Sequence, residues 1–229
     1  MPIVKSDRLI ILAILGIGGI MLTQYPFAKN DGIWGNDPDE HYITVKGKKP
    51  ADARVSAWVT MTAGGDECES YSYDMFGRKA FRGGTMDRKI TYDFSDDPNY
   101  YELRFPYRTY KDSNNCTVTL RDFSLFFINA FSGFGNLEIF EPFSYEHALP
   151  IDSIFEAKEC DADIFENNLG EWLGQNRCTY YINGERHWGD HPDHINLDFS
   201  KFNDDTVIHY DVYAGEKYRS EPLDRVLGP

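Results

Sequence analysis

The sequence predicts an all-β fold, an antiparallel sandwich of one or two tandem related units, behind a single N-terminal transmembrane helix. Two observations predict the sheets. Aromatic residues make up 15% of the 229 residues, and aromatic side chains favour strands. Several segments alternate apolar with polar residues, which places one face of a strand on a core. A single apolar run at the amino terminus predicts the helix.

The amino-terminal segment, residues 1–28, is expected to be a membrane anchor or an uncleaved signal. Lys5 and Arg8 precede an apolar run over residues 9–22, whose length lies between that of a signal-peptide core and that of a full span. The best cleavage site is poor, because Pro26 stands where a small residue is needed. Basic residues ahead of the run keep that end in the cytoplasm.

The rest of the chain is then exported, which predicts a single-pass inner-membrane protein with a periplasmic carboxyl-terminal part. Residues 29–42 are expected to form a polar juxtamembrane linker. An even number of cysteines in an exported chain indicates disulfides. We expect two bonds that each stay within one half of the chain, Cys68 with Cys116 and Cys160 with Cys178.

A repeated pattern divides the exported part into two expected β units, residues 43–142 and 143–229. Each contains a cysteine, a tyrosine-rich strand, a polar loop, the pattern Ile-x-x-Asp-Phe-Ser and an alternating strand. The pattern begins at Ile90 and at Ile195, and the alternating strands are "YYELRFPY" and "TVIHYDVY". The match is short and gapped, so chance is the alternative to a duplication, and the exported part is one domain or two.

Other segments complete the predicted elements. Strands are expected in "ARVSAWVTMTA" from Ala53, in "CTVTLRDFSLFFINAF" from Cys116, which fits one long strand or two, and in "NLEIFEPF" from Asn136. The stretch "CDADIFENNLGEWLG", residues 160–174, is the best helix candidate outside the anchor, although its glycines and asparagines lower helix propensity. Short strands separated by turn residues are typical of sandwiches.

The segment "HWGDHPDHINLDFS" contains the candidate metal ligands. Imidazole nitrogens of His187, His191 and His194 suit zinc, with an oxygen added by Asp190 or Asp193. A solvated turn before a strand is the simpler interpretation, and apart from this possible zinc no cofactor is expected. The corresponding place in the first unit holds "FGRKAFRGGTMDRK", which is basic and has no histidine.

The same segment supplies the candidate binding residues, Trp188 with His187 and Asp190. Tryptophan and tyrosine often anchor protein interfaces, although Trp188 could instead fold over the edge of a sheet. The sequence has no GxSxG, P-loop or HExxH motif. We therefore assign no catalytic residue and do not expect an enzyme.

Charge narrows the class of partner. The net charge of −14 argues against nucleic-acid binding, which needs cationic patches, and against lying on an anionic membrane surface. It favours a basic protein partner, with the membrane contacted through the amino-terminal helix. The sequence thus predicts an envelope binding protein, one version being an inhibitor or immunity-type protein that neutralises a toxin. The alternatives are an accessory subunit of a membrane complex, a carbohydrate-binding sandwich and a metal-dependent hydrolase using residues 187–194.

Overall fold

The predicted anchor, residues 1–28, lies outside the part of the chain for which the structure is described, as does most of the linker. A computed structural model describes residues 35, 39–73, 75–142, 147–188 and 191–229. Within those ranges no helix is long and apolar enough to cross a bilayer.

The described chain is all-β, as predicted. Its elements are β1 (Tyr42–Lys48), β2 (Arg54–Gly64), β3 (Tyr71–Tyr73), β4 (Lys79–Ile90), β5 (Tyr100–Pro106), β6 (Tyr110–Lys111), β7 (Thr117–Ile128), β8 (Gly133–Phe140), β9 (Ile154–Glu166), β10 (Trp172–Ile182), β11 (Glu185–Arg186), β12 (His194–Asn196), a 3₁₀ turn (Phe199–Lys201) and β13 (Val207–Ala214). The strands expected near Ala53, Cys116 and Asn136 are present as β2, β7 and β8, and β7 is one long strand.

The strands form two mostly antiparallel sheets that pack as a sandwich. Sheet A has the order β11-β10-β9-β13-β1-β5, and sheet B has the order β12-β8-β7-β2-β4-β3, with β6 beside β7. The parallel pairs are β1 with β13, β13 with β9 and β12 with β8. Each sheet contains strands from before and after residue 143. The expected boundary therefore does not coincide with a boundary between sheets, and the described chain forms one sandwich.

The repeated pattern makes one equivalent hydrogen bond in both places, although only the second place forms a 3₁₀ turn. The carboxylate of Asp93 accepts a hydrogen bond from the backbone N–H of Ser95 at 3.0 Å, and that of Asp198 accepts one from Ser200 at 3.1 Å. The alternating strands that follow, β5 and β13, flank β1 on its two sides. An ancestral duplication stays a prediction.

Aromatic side chains fill the space between the sheets. Tyr101 of β5 contacts Phe127 of β7 edge to face, with ring centroids 5.3 Å apart, and Phe105 contacts Phe123 at 5.0 Å. Edge-to-face contacts of this kind add to the stabilisation from burial. The high aromatic content that predicted sheets is therefore used to join them.

Two buried phenols satisfy backbone acceptors within this core. The hydroxyl of Tyr101 donates to the backbone carbonyl of Tyr210 at 2.7 Å. The hydroxyl of Tyr210 donates to the carbonyl of Gly135 at 2.8 Å, which joins β13 of sheet A to β8 of sheet B. Gly47 of β1 lies against the backbone carbonyl of Tyr210. Only glycine fits there, because a Cβ at position 47 would overlap that carbonyl.

Both expected disulfides are present. Cys68 pairs with Cys116 and ties the chain ahead of β3 to the start of β7. Cys160 pairs with Cys178 and joins β9 to β10. The preference for bonds within each half of the chain is confirmed.

The expected helix over residues 160–174 is wrong. That stretch forms the end of β9, a turn and the start of β10. The side-chain oxygen of Asn167 accepts hydrogen bonds from the backbone of Leu169 and Glu171, and Gly170 has a φ of 77°. Local bonds to asparagine compete with helical ones, and a positive φ favours glycine in a turn, so the sequence closes a hairpin instead.

Candidate functional site

The histidine segment connects an edge strand of one sheet to an edge strand of the other, running from β11 of sheet A to β12 of sheet B. At its start the backbone N–H of His187 donates to the carbonyl of Tyr180 at 2.8 Å, and at its end the N–H of Glu138 donates to the carbonyl of Asp193 at 2.8 Å. Asp190, a predicted binding residue, lies outside the described residues. Both ends of the connection are thus fixed to strands.

Three side chains of this segment converge, and we call them the histidine cluster: His191, Asp193 and His194. Each offers one ligand atom, and these atoms lie within 4.8 Å of one another. The rings of His191 and His194 are stacked, with centroids 4.5 Å apart and an interplanar angle of 14°. His187, the third predicted metal ligand, is not in this group.

A carboxylate from another strand holds the cluster. Glu138 and His194 are direct register partners of β8 and β12, and the Glu138 Oε2 lies 2.7 Å from the His194 Nε2. Phe140, two residues along β8, contacts the His194 ring edge to face at 5.4 Å. Sequence reasoning missed Glu138, because only the strand pairing brings a residue of the first half beside this segment.

The cluster also acts electrostatically on its neighbour Tyr180. Burial raises the pKa of the Tyr180 hydroxyl, and the negative charge of Asp193 raises it further. The cluster itself offers two imidazoles and the Asp193 carboxylate, donors that suit a divalent cation.

Trp188 lies on the surface rather than over the sheet edge. Its side chain is 71% exposed, and the guanidinium of Arg186 lies 3.8 Å from the centroid of its ring. A small pocket of about 200 Å³ beside it is lined in part by His187 and Pro192. Its binding role, with that of His187, stays a prediction.

A second surface, which we call the aromatic hairpin, comprises β3, its turn and the start of β4, residues 71–79. Large apolar side chains concentrate there: Met75 is 90% exposed and Phe76 is 73% exposed. Tyr71 and Tyr73 are also exposed and contact each other edge to face at 5.7 Å. The sequence indicated only a basic connection at this place.

Cationic groups lie over the hairpin's rings. The Arg78 guanidinium is 5.2 Å from the Phe76 centroid, and the Lys79 Nζ is 4.2 Å from the Tyr71 centroid. Between residues 71 and 90 the sequence has five cationic residues and two anionic residues, in a chain of net charge −14. The hairpin region thus has the opposite sign to the whole molecule.

The base of the hairpin is anchored on several sides. The buried disulfide Cys68–Cys116 lies just before β3, and the backbone N–H of Glu69 donates to the carbonyl of Asn114 at 2.8 Å. On the far side β4 pairs with β2 over most of its length. The exposed rings therefore project from a fixed support.

No protein-family model, curated protein or solved structure matches this chain. Its function is therefore inferred from the chemistry of these two surfaces.

Proposed function

We propose that this chain is a non-enzymatic recognition protein that acts outside the cytoplasm, is held at the inner membrane by residues 1–28, and binds a partner protein through the aromatic hairpin. The observation that carries this proposal is the concentration of exposed tyrosine, methionine and phenylalanine on residues 71–79. These residue types and arginine are enriched at protein interfaces, and contiguous exposed apolar patches are rare on monomeric soluble proteins.

The support beneath the hairpin favours binding. An interface that is already ordered loses less conformational entropy when the partner arrives. Here the Cys68–Cys116 disulfide precedes β3, β3 pairs with the start of β4, and the rest of β4 is held by β2. Rigid aromatic side chains on such a support supply contact area at low entropic cost.

The charge around the aromatic hairpin indicates which partner surface would be complementary to it. The net charge of the whole chain favours a basic partner at long range, as the sequence predicts. The hairpin itself carries cations beside its rings, and complementarity at short range requires the opposite sign. We therefore expect the partner to present acidic groups around an apolar patch where it meets the hairpin.

The two disulfides support a location in an oxidising compartment, where such bonds persist. An inhibitor or immunity-type protein acting on a toxin in the envelope fits this location and this surface. So does an accessory subunit of a membrane complex. The identity of the partner distinguishes these two versions.

Site-specific photocrosslinking of the full chain in its native host tests the proposal. We expect a photoreactive phenylalanine analogue at position 76 to give one discrete protein adduct. The matched control is the same analogue at Leu169, which is 83% exposed in the β9–β10 turn and should give no such adduct. Equal adducts at both positions, or none at position 76, would contradict the proposal.

Binding of the purified partner provides the quantitative test. Removing a central aromatic anchor from an interface costs about 2 kcal/mol or more, so Phe76→Ser should weaken binding at least about thirtyfold. Arg78→Glu should weaken it as well, because it reverses a charge at the contact. Leu169→Ser should leave the affinity within about twofold, since surface changes away from an interface have small effects.

A further inference from the structure

We infer that the histidine cluster is a binding site for one divalent transition-metal ion of the zinc type, formed by His191, Asp193 and His194 without His187. This inference concerns the opposite edge of sheet B from the aromatic hairpin and does not depend on the proposed function. It assigns a bound ion to the connection between the two sheets and assigns no reaction to it.

The donor set has the right chemistry. Imidazole nitrogens suit zinc, copper and nickel, and carboxylate oxygen is a common third ligand. Oxygen-only sites suit calcium and magnesium, and a pair of imidazoles disfavours those ions. Three protein ligands on a partly exposed surface leave a fourth position for water.

The distances allow closure by side-chain rotation. Ligands about 2.0–2.1 Å from a tetrahedral zinc ion lie about 3.3–3.4 Å from one another. The atoms of the cluster are within 4.8 Å, so each pair must approach by at most about 1.5 Å. The backbone N–H of His194 donates to the carbonyl of His191 at 3.1 Å, and this turn keeps the two rings on one side of the chain.

Glu138 supplies the independent support for the site. When its carboxylate accepts a hydrogen bond from the His194 Nε2–H, the Nδ1 of that ring keeps its lone pair for a metal. Metal-binding histidines commonly donate their other ring N–H to a carboxylate, which fixes the tautomer and the orientation of the ring. The 2.7 Å contact, from a residue on a different strand, provides this arrangement.

Isothermal titration calorimetry of the full chain with Zn²⁺ tests the inference. We expect one equivalent to bind and His191→Ala and His194→Ala each to weaken binding at least tenfold. Glu138→Gln should weaken it by about 10–100-fold, as loss of an orienting carboxylate does elsewhere. His187→Ala is the matched control, because it removes a nearby histidine outside the cluster, and it should change the affinity less than twofold.

Circular dichroism and mass analysis of the disulfides show which variants are folded. Asp193→Asn replaces His194→Ala if the latter loses its fold, since it removes a ligand charge at nearly constant volume. No saturable binding by the wild type would overturn the inference. Unchanged Zn²⁺ binding by folded variants of His191 and Asp193 would also overturn it. So would a loss of Zn²⁺ affinity in His187→Ala as large as that in His191→Ala, because either result places the ion elsewhere.

Discussion

At the scale of single residues, the two buried phenols of Tyr101 and Tyr210 make the stability of the core depend on pH. Burial raises the pKa of both hydroxyls well above the ordinary value of 10.0. Negative charges at Asp211 and Asp93 raise the pKa of Tyr101 further. Each phenol also donates a hydrogen bond that it cannot make once ionised. The folded protein therefore keeps protons that the unfolded chain loses.

This difference predicts alkaline unfolding. Below about pH 10 both states are protonated and the phenols add no pH dependence to the free energy of unfolding. Above that pH the unfolded chain releases protons and the folded chain does not, so stability falls as the pH rises. Melting temperatures measured between about pH 8 and about pH 11 should fall, and less steeply in Tyr101→Phe. A flat profile for the wild type would contradict the prediction.

Gly47 is the second residue whose identity the packing requires. Gly47→Ala should destabilise the fold by about 1–3 kcal/mol, the usual cost of overpacking, because the new Cβ overlaps the Tyr210 carbonyl. Gly64→Ala in β2 is the matched control. A Cβ there meets nothing within 4 Å, so its effect should stay within about 0.5 kcal/mol. Urea denaturation measures both, and equal effects would show that the contact is unimportant.

At the scale of elements, the aromatic hairpin depends on the disulfide at its base. The double substitution Cys68→Ser with Cys116→Ser should remove about 3–4 kcal/mol of chain-entropy stabilisation, given the separation of 48 residues. This loss applies to global unfolding of the sandwich, but the loosening of the native state should be greatest near the bond because β2–β4 pairing remains. Hydrogen exchange should therefore accelerate more in β3 and the hairpin turn than in β1 and β9. Equal acceleration in β9 would contradict this division.

Element prediction from the sequence succeeded where alternation was strong and failed where local signals conflicted. The alternating segments became β2, β7 and β8, since a period of two allows one buried face only in a strand. Residues 160–174 have apolar residues at mixed spacing, and sequence alone did not reveal that Asn167 and Gly170 close a turn. The disulfide pairing was predicted because each bond stays within one half of the chain, and in the structure the β2–β7 and β9–β10 pairings bring the cysteines together.

At the scale of the whole molecule, topology and the surfaces it builds were less accessible to sequence reasoning. The parallel pairing of β1 with β13 joins residues more than 160 positions apart, and periodicity contains no information about partners so distant. The same limit explains why Glu138 was missed while His191 and His194 were found. The aromatic hairpin was missed for another reason: Met75 and Phe76 lie in a turn, where strand alternation makes no prediction about burial.

Export of residues 29–229 is the proposal on which the proposed function most depends, because it would place the hairpin and the oxidised cysteines in one compartment. Labelling of thiols in untreated native cells, combined with protease added outside the inner membrane, tests it most directly. We predict that none of the four cysteines reacts before reduction and that the external protease reaches the sandwich. Four reactive thiols in a protease-protected chain would contradict both the location and the function proposed.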